Sequence, residues 1–182
     1  SNYLKSISIG DYGTRRGVRL ILKILDKYGI KATFFVPAII MKNNQELIRE
    51  IHDKGHEIAH HGFYHEYNYG GTPEEQLDLI KNCQKVFKNC IGESAKGFRP
   101  TAPLFDKTIL QLEKEKNNLY LISEKGREKP YYKRVGDKET RLVELPARIE
   151  FDDYFQLSYS FFPPQPGSLD RIASYETVLY NY

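Results

Sequence analysis

Three of the five histidines in the chain fall in one short segment, His60-His61-Gly-Phe-Tyr-His65. Imidazoles four positions apart can converge on one divalent metal ion if the backbone turns between them. Zinc, cobalt, nickel and iron all accept imidazole, so the spacing predicts a metal centre without fixing the metal. A catalytic centre also needs a carboxylate and an open position for water. The competing interpretation is a polar turn that happens to be rich in histidine.

The segments around this cluster alternate between helical and extended patterns. Apolar spacing and capping signals predict helices over residues 18–28, 45–54, 73–91, 106–112 and 168–179. Short apolar runs predict strands over residues 31–36, 57–59, 97–99, 118–122 and 143–146. Strands alternating with helices favour an α/β fold with a parallel sheet, in which ligands bind at the carboxyl ends of the strands. The histidine cluster directly follows one such strand.

The expected ends of these elements can be read from single residues. Gly29 and Gly92 are expected to end helices as C-caps, and Asn44 is expected to cap the helix that follows it. Thr72-Pro-Glu-Glu75 resembles a capping box. Prolines between residues 152 and 167 predict a loop there. The remaining histidines, His52 and His56, are interpreted as structural.

Composition limits the classes of function. The 182 residues fit one domain, residues 1–182, and a net charge of +3 gives no reason to expect a nucleic-acid partner. The longest apolar runs are too short for a bilayer, so no membrane partner is expected. Cys83 and Cys90 would lie roughly 10 Å apart on a helix, too far for a disulfide. A reducing compartment, and hence the cytoplasm rather than secretion, is favoured.

Several segments resemble one known family. The run Gly55-His-Glu-Ile-Ala-His-His-Gly-Phe-Tyr-His-Glu66 looks like the second motif of the polysaccharide deacetylases, carbohydrate esterase family 4, which share the NodB homology domain. Residues 31–37 resemble that family's second strand, and residues 97–103 resemble its third motif. Residues 12–17, and residues 142–146 with Asp152-Asp153, resemble the branch that holds peptidoglycan deacetylases and allantoinase-like proteins. The resemblance implies a distorted (β/α)7 barrel.

The same resemblance implies a function and a site. It implies a metal-dependent hydrolase of non-peptide carbon–nitrogen bonds, acting on an N-acetylated amino-sugar polymer or a small amide. His61 and His65 match the metal-binding histidines, zinc being the first candidate metal, whereas His60 matches a position that is not usually a ligand. Arg99 matches the arginine that orients the catalytic base. Three residues are expected to contact substrate: Tyr64, Thr101 and Pro103.

Two parts of the family pattern are not visible: the aspartate pair after the first strand, and a late histidine that acts as general acid. Asp11 follows a plausible strand over residues 6–9 and could be the metal aspartate, with Gly10 in place of the base. Alternatively, residues 11–17 match a loop that follows the aspartate strand, and the first strand is missing from this sequence. We favour the second interpretation.

These gaps leave alternatives open for the whole chain. Four or five βα units can be counted against the expected seven, which predicts an incomplete barrel. Its unpaired edges could be covered by a second copy of the chain, as a homo-oligomer. The alternative function is a non-catalytic relative that binds saccharide or assembles with a partner. A third interpretation treats the histidine cluster as structural in an unrelated α/β domain.

Overall fold

A mixed six-stranded sheet organises the chain in the computed structural model, which describes residues 11–66, 71–115, 119–124 and 127–147. The strand order is β1-β2-β3-β4-β6-β5. Neighbours from β1 through β4 to β6 pair in parallel, and β5 pairs antiparallel with β6. The strands are β1 (Thr33–Val36), β2 (Glu57–His60), β3 (Gly97–Phe98), β4 (Tyr120–Leu121), β5 (Tyr131–Val135) and β6 (Lys138–Glu144).

Helices connect β1 to β2, β2 to β3 and β3 to β4, and a further helix precedes β1. A π-helical segment, Gly13–Gly17, leads into the first of them. The α-helices are α1 (Val18–Tyr28), α2 (Ala38–Asn43), α3 (Gln45–Asp53), α4 (Pro73–Ile91) and α5 (Asp106–Lys114). Gly29 ends α1 in the left-handed conformation, with φ of 64°, as predicted. The capping box at the start of α4 is also confirmed, because Thr72 and Glu75 each accept a hydrogen bond from the backbone N–H of the other.

The helices pack on one face of the sheet. Register pairs Val36 with His60, His60 with Phe98, and Phe98 with Leu121, so these side chains share a face. Two apolar clusters join that face to residues of all five α-helices. A sheet wound in sequence with its helices on one face is the arrangement of a (β/α) barrel, whereas a doubly wound sheet carries helices on both faces. The predicted α/β class is confirmed.

On the face of the sheet away from the helices, Gly97 of the third motif leaves room for a neighbouring side chain. The ring of Tyr120 lies directly over Gly97 on the neighbouring strand, and a Cβ at that position would come within 2.1 Å of the ring. The Tyr120 hydroxyl donates to the Glu57 carboxylate at 2.9 Å, and the Thr33 hydroxyl donates to the same oxygen at 2.8 Å. Glycine at position 97 therefore lets three strands share one polar contact across this face.

Two local predictions were wrong. Residues 11–17 are helical rather than a loop, with the Asp11 carboxylate 3.3 Å from Arg15 and the Asp11 carbonyl accepting from the Thr14 hydroxyl. These contacts one helical turn apart support the helix. Asn44 does not cap α3 with its side chain, because its amide donates instead to the carbonyl of Ile40 at 3.0 Å.

The hairpin of β5 and β6 was not predicted. Only residues 143–146 were expected to be a strand, but β6 begins at Lys138 and pairs with β5 through a turn at Gly136, whose φ is 56°. Glycine at the first central position of a two-residue turn suits the twist of a hairpin. The strand predicted over residues 6–9, the loop over 152–167 and the helix over 168–179 lie outside the described residues.

Two remaining expectations concern cysteines and membrane segments. Cys83 and Cys90 are buried free thiols on α4, as predicted. Within the described ranges, no helix combines the length and apolar character needed to cross a bilayer.

Candidate metal centre and the adjoining cleft

The two predicted metal ligands lie close together at the carboxyl end of β2. His61 is half-buried, His65 is exposed, and their ring centroids are 4.9 Å apart with an angle of 80° between the ring planes. His60 ends β2 on the helix-covered face, so the next residue, His61, points to the other face. The structure therefore brings together the histidine pair that the sequence singled out.

The loop that carries the pair has an unusual backbone. His65 has φ of 65°, and among the described residues it is the non-glycine residue with positive φ. Gly62, with φ of 77°, supplies the other left-handed turn in the loop. A left-handed conformation costs a non-glycine residue about 1–2 kcal/mol, and such costs concentrate at functional sites. The backbone turn required for convergence of the two rings is thus present.

Neighbouring segments hold this loop in place. The Glu66 carboxylate accepts hydrogen bonds from the backbone N–H groups of Phe63 and Tyr64. The first N–H groups of α2, at residues 38 and 39, donate to the carbonyls of residues 62 and 63 at 3.0 Å each. The Thr101 hydroxyl donates to the Glu66 carbonyl at 2.5 Å. The histidine loop is therefore braced on both sides.

The ring orientation of His61 suits a metal ligand. Its Nδ1 lies 2.7 Å from the carbonyl oxygen of Arg99, and because a carbonyl only accepts, Nδ1 carries the proton. In the neutral ring, Nε2 then has the free lone pair, and a backbone carbonyl behind a ligating histidine is a common way to fix its orientation. Burial lowers the pKa of His61, against the opposing effect of this hydrogen bond. The neutral form is the one that binds metal.

The third histidine of the cluster has a different environment. His60 is buried, its ring centroid is 4.2 Å from that of Phe98, and neither ring nitrogen has a hydrogen-bond partner among the described residues. Burial, followed by the charge of His61, lowers its pKa to about 3. His52 and His56 lie away from the pair: His52 contacts Glu93 at 3.2 Å, and the Nδ1 of buried His56 accepts from a backbone N–H.

A third protein ligand is not assembled in the described part of the chain. Residues 11–66, 71–115, 119–124 and 127–147 contain no group of three His, Cys, Asp or Glu side chains able to hold a metal ion. Asp11 is exposed at the start of the N-terminal helical segment and pairs with Arg15. The donor set therefore fits a divalent cation through two imidazoles, while Asp11 as a third ligand stays a prediction.

A cleft of about 540 Å³ adjoins the pair and contains most of the other predicted site residues. Arg99, Thr101 and Pro103 all line it, and Arg99 links it to the histidine loop through the hydrogen bond to His61. Tyr64 does not line the cleft; it is 70% exposed and its ring packs against that of Phe63 at 4.7 Å.

Sequence reasoning missed a charged cluster around a buried carboxylate beside this cleft, which we call the Glu144 cluster. Glu144 is fully buried, and its carboxylate accepts from the Ser123 hydroxyl at 2.7 Å and from the backbone N–H groups of Ser123 and Glu124. The Lys133 ammonium lies 3.5 Å from Glu144 and also contacts the Glu124 carboxylate. The cluster consists of Ser123, Glu124, Tyr131, Lys133 and Glu144. Glu144 lies within the Leu142-Val-Glu-Leu-Pro146 motif, which drew attention to this segment but not to its contacts.

Comparison with known proteins identifies the family to which the chain belongs. Residues 8–120 match the polysaccharide deacetylase family. A crystal structure of a putative polysaccharide deacetylase from Mycobacterium smegmatis superimposes with a TM-score of 0.80 at 30% identity, covering 99% of this chain and 61% of that one. The chain belongs to the polysaccharide deacetylase family, as its motifs indicated.

Curated relatives refine the comparison. A peptidoglycan deacetylase-like protein of Gibberella zeae is 36% identical over 72% of this chain and 39% of its own length. The peptidoglycan deacetylase of Helicobacter pylori is 28% identical over 81% of this chain and 58% of its own length. The chain thus spans between about two fifths and three fifths of these relatives.

Proposed function

We propose that the protein is a metal-dependent deacetylase that removes N-acetyl groups from an amino-sugar polymer of the peptidoglycan or chitin type. The observation that carries the proposal is the His61–His65 pair, with the Nε2 of His61 left available by the hydrogen bond to Arg99. Its place at the carboxyl end of β2 is where α/β folds bind ligands. The names of the relatives support the substrate class.

His61 and His65 would hold a divalent cation, with zinc as the first candidate and cobalt, nickel or iron as others. A cation there would act as a Lewis acid towards the amide carbonyl and water. Hydrolysis breaks the bond between the acetyl carbon and the nitrogen, and water supplies the hydroxyl of the acetate and a proton for the amine. These proton transfers need an acceptor and a donor. Arg99 would orient such an acceptor; its place in the lining of the cleft that adjoins His61 supports this role.

Acetate release from chitotetraose and from peptidoglycan fragments, by the full-length protein with zinc supplied, tests this proposal. We expect release by the wild type, and in His61→Ala a rate lower by at least about a hundredfold, since loss of a ligand should exceed the 10–100-fold effect of groups that only orient ligands. His52→Ala is the matched control and should keep the wild-type rate, because His52 contacts Glu93 away from the pair. Full activity in His61→Ala would contradict the proposed site.

A second candidate function is a saccharide-binding relative without catalysis. It is favoured by one observation, that the described residues contain no group of three His, Cys, Asp or Glu side chains able to hold a metal ion. The two candidates differ in one measurable property. Wild-type protein that binds zinc and chitotetraose but releases no acetate would support the binding function and overturn the hydrolase.

A further inference from the structure

The segment that follows β4 lines the cleft together with residues of the third motif. Ser123 and Glu124 line the same cleft as Arg99 and Thr101, and Lys133 of the hairpin lines it as well. Neither Ser123 nor Glu124 belongs to a helix or strand, so something other than regular hydrogen bonding must fix their positions. The Glu144 cluster supplies that constraint.

Glu144 fixes the backbone of this segment. Three groups of the segment donate to its buried carboxylate: the Ser123 N–H at 2.5 Å, the Ser123 hydroxyl at 2.7 Å and the Glu124 N–H at 2.8 Å. Bonds to an ionised acceptor are stronger than neutral ones, and their strength increases in a site shielded from water. The Lys133 ammonium, whose side chain is 7% exposed, compensates the buried charge. The segment is therefore held with little freedom at the cleft.

The Glu124 side chain is held ionised and partly open to the cleft. One carboxylate oxygen accepts from Lys133 and the other from the Tyr131 hydroxyl, and these two hydrogen bonds, that from Lys133 first, lower the pKa of Glu124. The side chain is nevertheless 47% exposed. A carboxylate offers about four lone-pair positions, so two bonds within the protein leave room for two more. The two remaining lone-pair positions of Glu124 can accept hydrogen bonds from a ligand that carries donor groups.

We propose that Glu124 is a specificity-determining residue that accepts hydrogen bonds from hydroxyl or amide N–H groups of a saccharide bound in the cleft. The inference rests on the proposed function and adds the chemical class recognised by this subsite. Neighbouring hydroxyls of a pyranose are donors that match a carboxylate held at a fixed position. A sugar unit that carries its own carboxylate or phosphate at this subsite is disfavoured by repulsion between like charges.

The test compares Glu124→Gln with Glu128→Gln in the full-length protein loaded with zinc. Both substitutions replace a carboxylate by an isosteric amide in the same region, but Glu128 is exposed and does not line the cleft. Calorimetry gives the Kd for chitotetraose, and acetate release gives KM and kcat where turnover occurs. We expect Glu124→Gln to raise Kd and KM about tenfold, since a hydrogen bond to a charged acceptor is lost, with kcat within about twofold. Glu128→Gln should match the wild type.

The outcomes separate this inference from the proposed function. Unchanged Kd and KM in Glu124→Gln, with a wild type that binds or hydrolyses chitotetraose, would overturn the inference and leave the function standing. A large loss of kcat at constant Kd would also overturn it, because Glu124 would then act in the reaction rather than in binding. A wild type that neither binds nor hydrolyses the saccharide would overturn both.

Discussion

The histidine loop and the Glu144 cluster both lie at the carboxyl ends of parallel strands, yet their polar groups differ in burial and in pairing. In the loop, His61 and His65 face each other across 4.9 Å on a strained backbone, at half-buried and exposed positions. In the cluster, Glu144 and Lys133 are both buried, and the Glu144 carboxylate is bonded to groups of the protein. In the loop, Nε2 of His61 keeps its lone pair for a ligand, whereas the buried Lys133–Glu144 pair compensates its own charges.

This difference distinguishes residues that bind a ligand from residues that stabilise the fold. Buried charges are costly unless they are paired and hydrogen-bonded, so the buried Glu144 and Lys133 stabilise the fold only while both are present. A metal site has the reverse requirement, because its ligands must leave lone pairs available until the cation binds. Substitutions of the buried pair, Lys133 and Glu144, should therefore act mainly on stability, and substitutions of His61 and His65 mainly on metal binding.

The largest effect on stability is expected for Lys133→Ala. Removing the ammonium leaves the fully buried Glu144 carboxylate without its cation, and breaking a buried pair in this way costs about 3–5 kcal/mol. Urea unfolding of the full-length protein measures the change in the free energy of unfolding. Lys129→Ala, an exposed lysine just before the hairpin, is the matched control and should change it by less than about 0.5 kcal/mol.

A double variant sharpens the same prediction. In Lys133→Met/Glu144→Gln neither buried charge is present, so the free energy of unfolding should recover much of what Lys133→Ala loses. Equal stability of Lys133→Ala and the wild type would show that Glu144 is not a buried ion that needs Lys133. The contrast drawn with the histidine loop would then be wrong.

A smaller effect on stability is expected at His65, where glycine should be favoured over alanine. Because its φ is 65°, glycine should fit this position better than alanine, and His65→Gly should be more stable than His65→Ala by about 1–2 kcal/mol. Both variants should lose metal binding. Thermal unfolding monitored by circular dichroism compares the two proteins in the absence of metal.

The neighbouring residue provides the control. Tyr64 does not have positive φ, so Tyr64→Gly should be less stable than Tyr64→Ala. If glycine and alanine have the same order of stability at positions 64 and 65, the loop is not strained at His65 and the backbone argument for this site is wrong.

Much of the fold could be predicted because its signals are local. The helical repeat of residues 18–28, the capping box at Thr72 and the short apolar strand before Pro37 each lie within a few residues of sequence. The histidine pair was predictable for the same reason, since both rings come from one loop directly after β2.

The features that were missed depend on distant partners. Glu144 meets Ser123 and Glu124 across 20 or 21 positions, and nothing in the local pattern around any one of them announces the contact. The hairpin was missed because Tyr131-Tyr-Lys-Arg-Val135 has a buried lysine at its centre, which a sequence pattern marks as solvent-facing. Asn44 was assigned as a cap from residue type alone, although the preceding turn offered a competing carbonyl.

The central claim is that His61 and His65 hold one divalent cation, and metal content tests it most directly. The full-length protein is dialysed against zinc, then against metal-free buffer, and its zinc content is measured by mass spectrometry. We predict about one zinc ion per chain in the wild type and in His52→Ala, and almost none in His61→Ala or His65→Ala. Stoichiometric zinc in either of the last two variants would contradict the assignment.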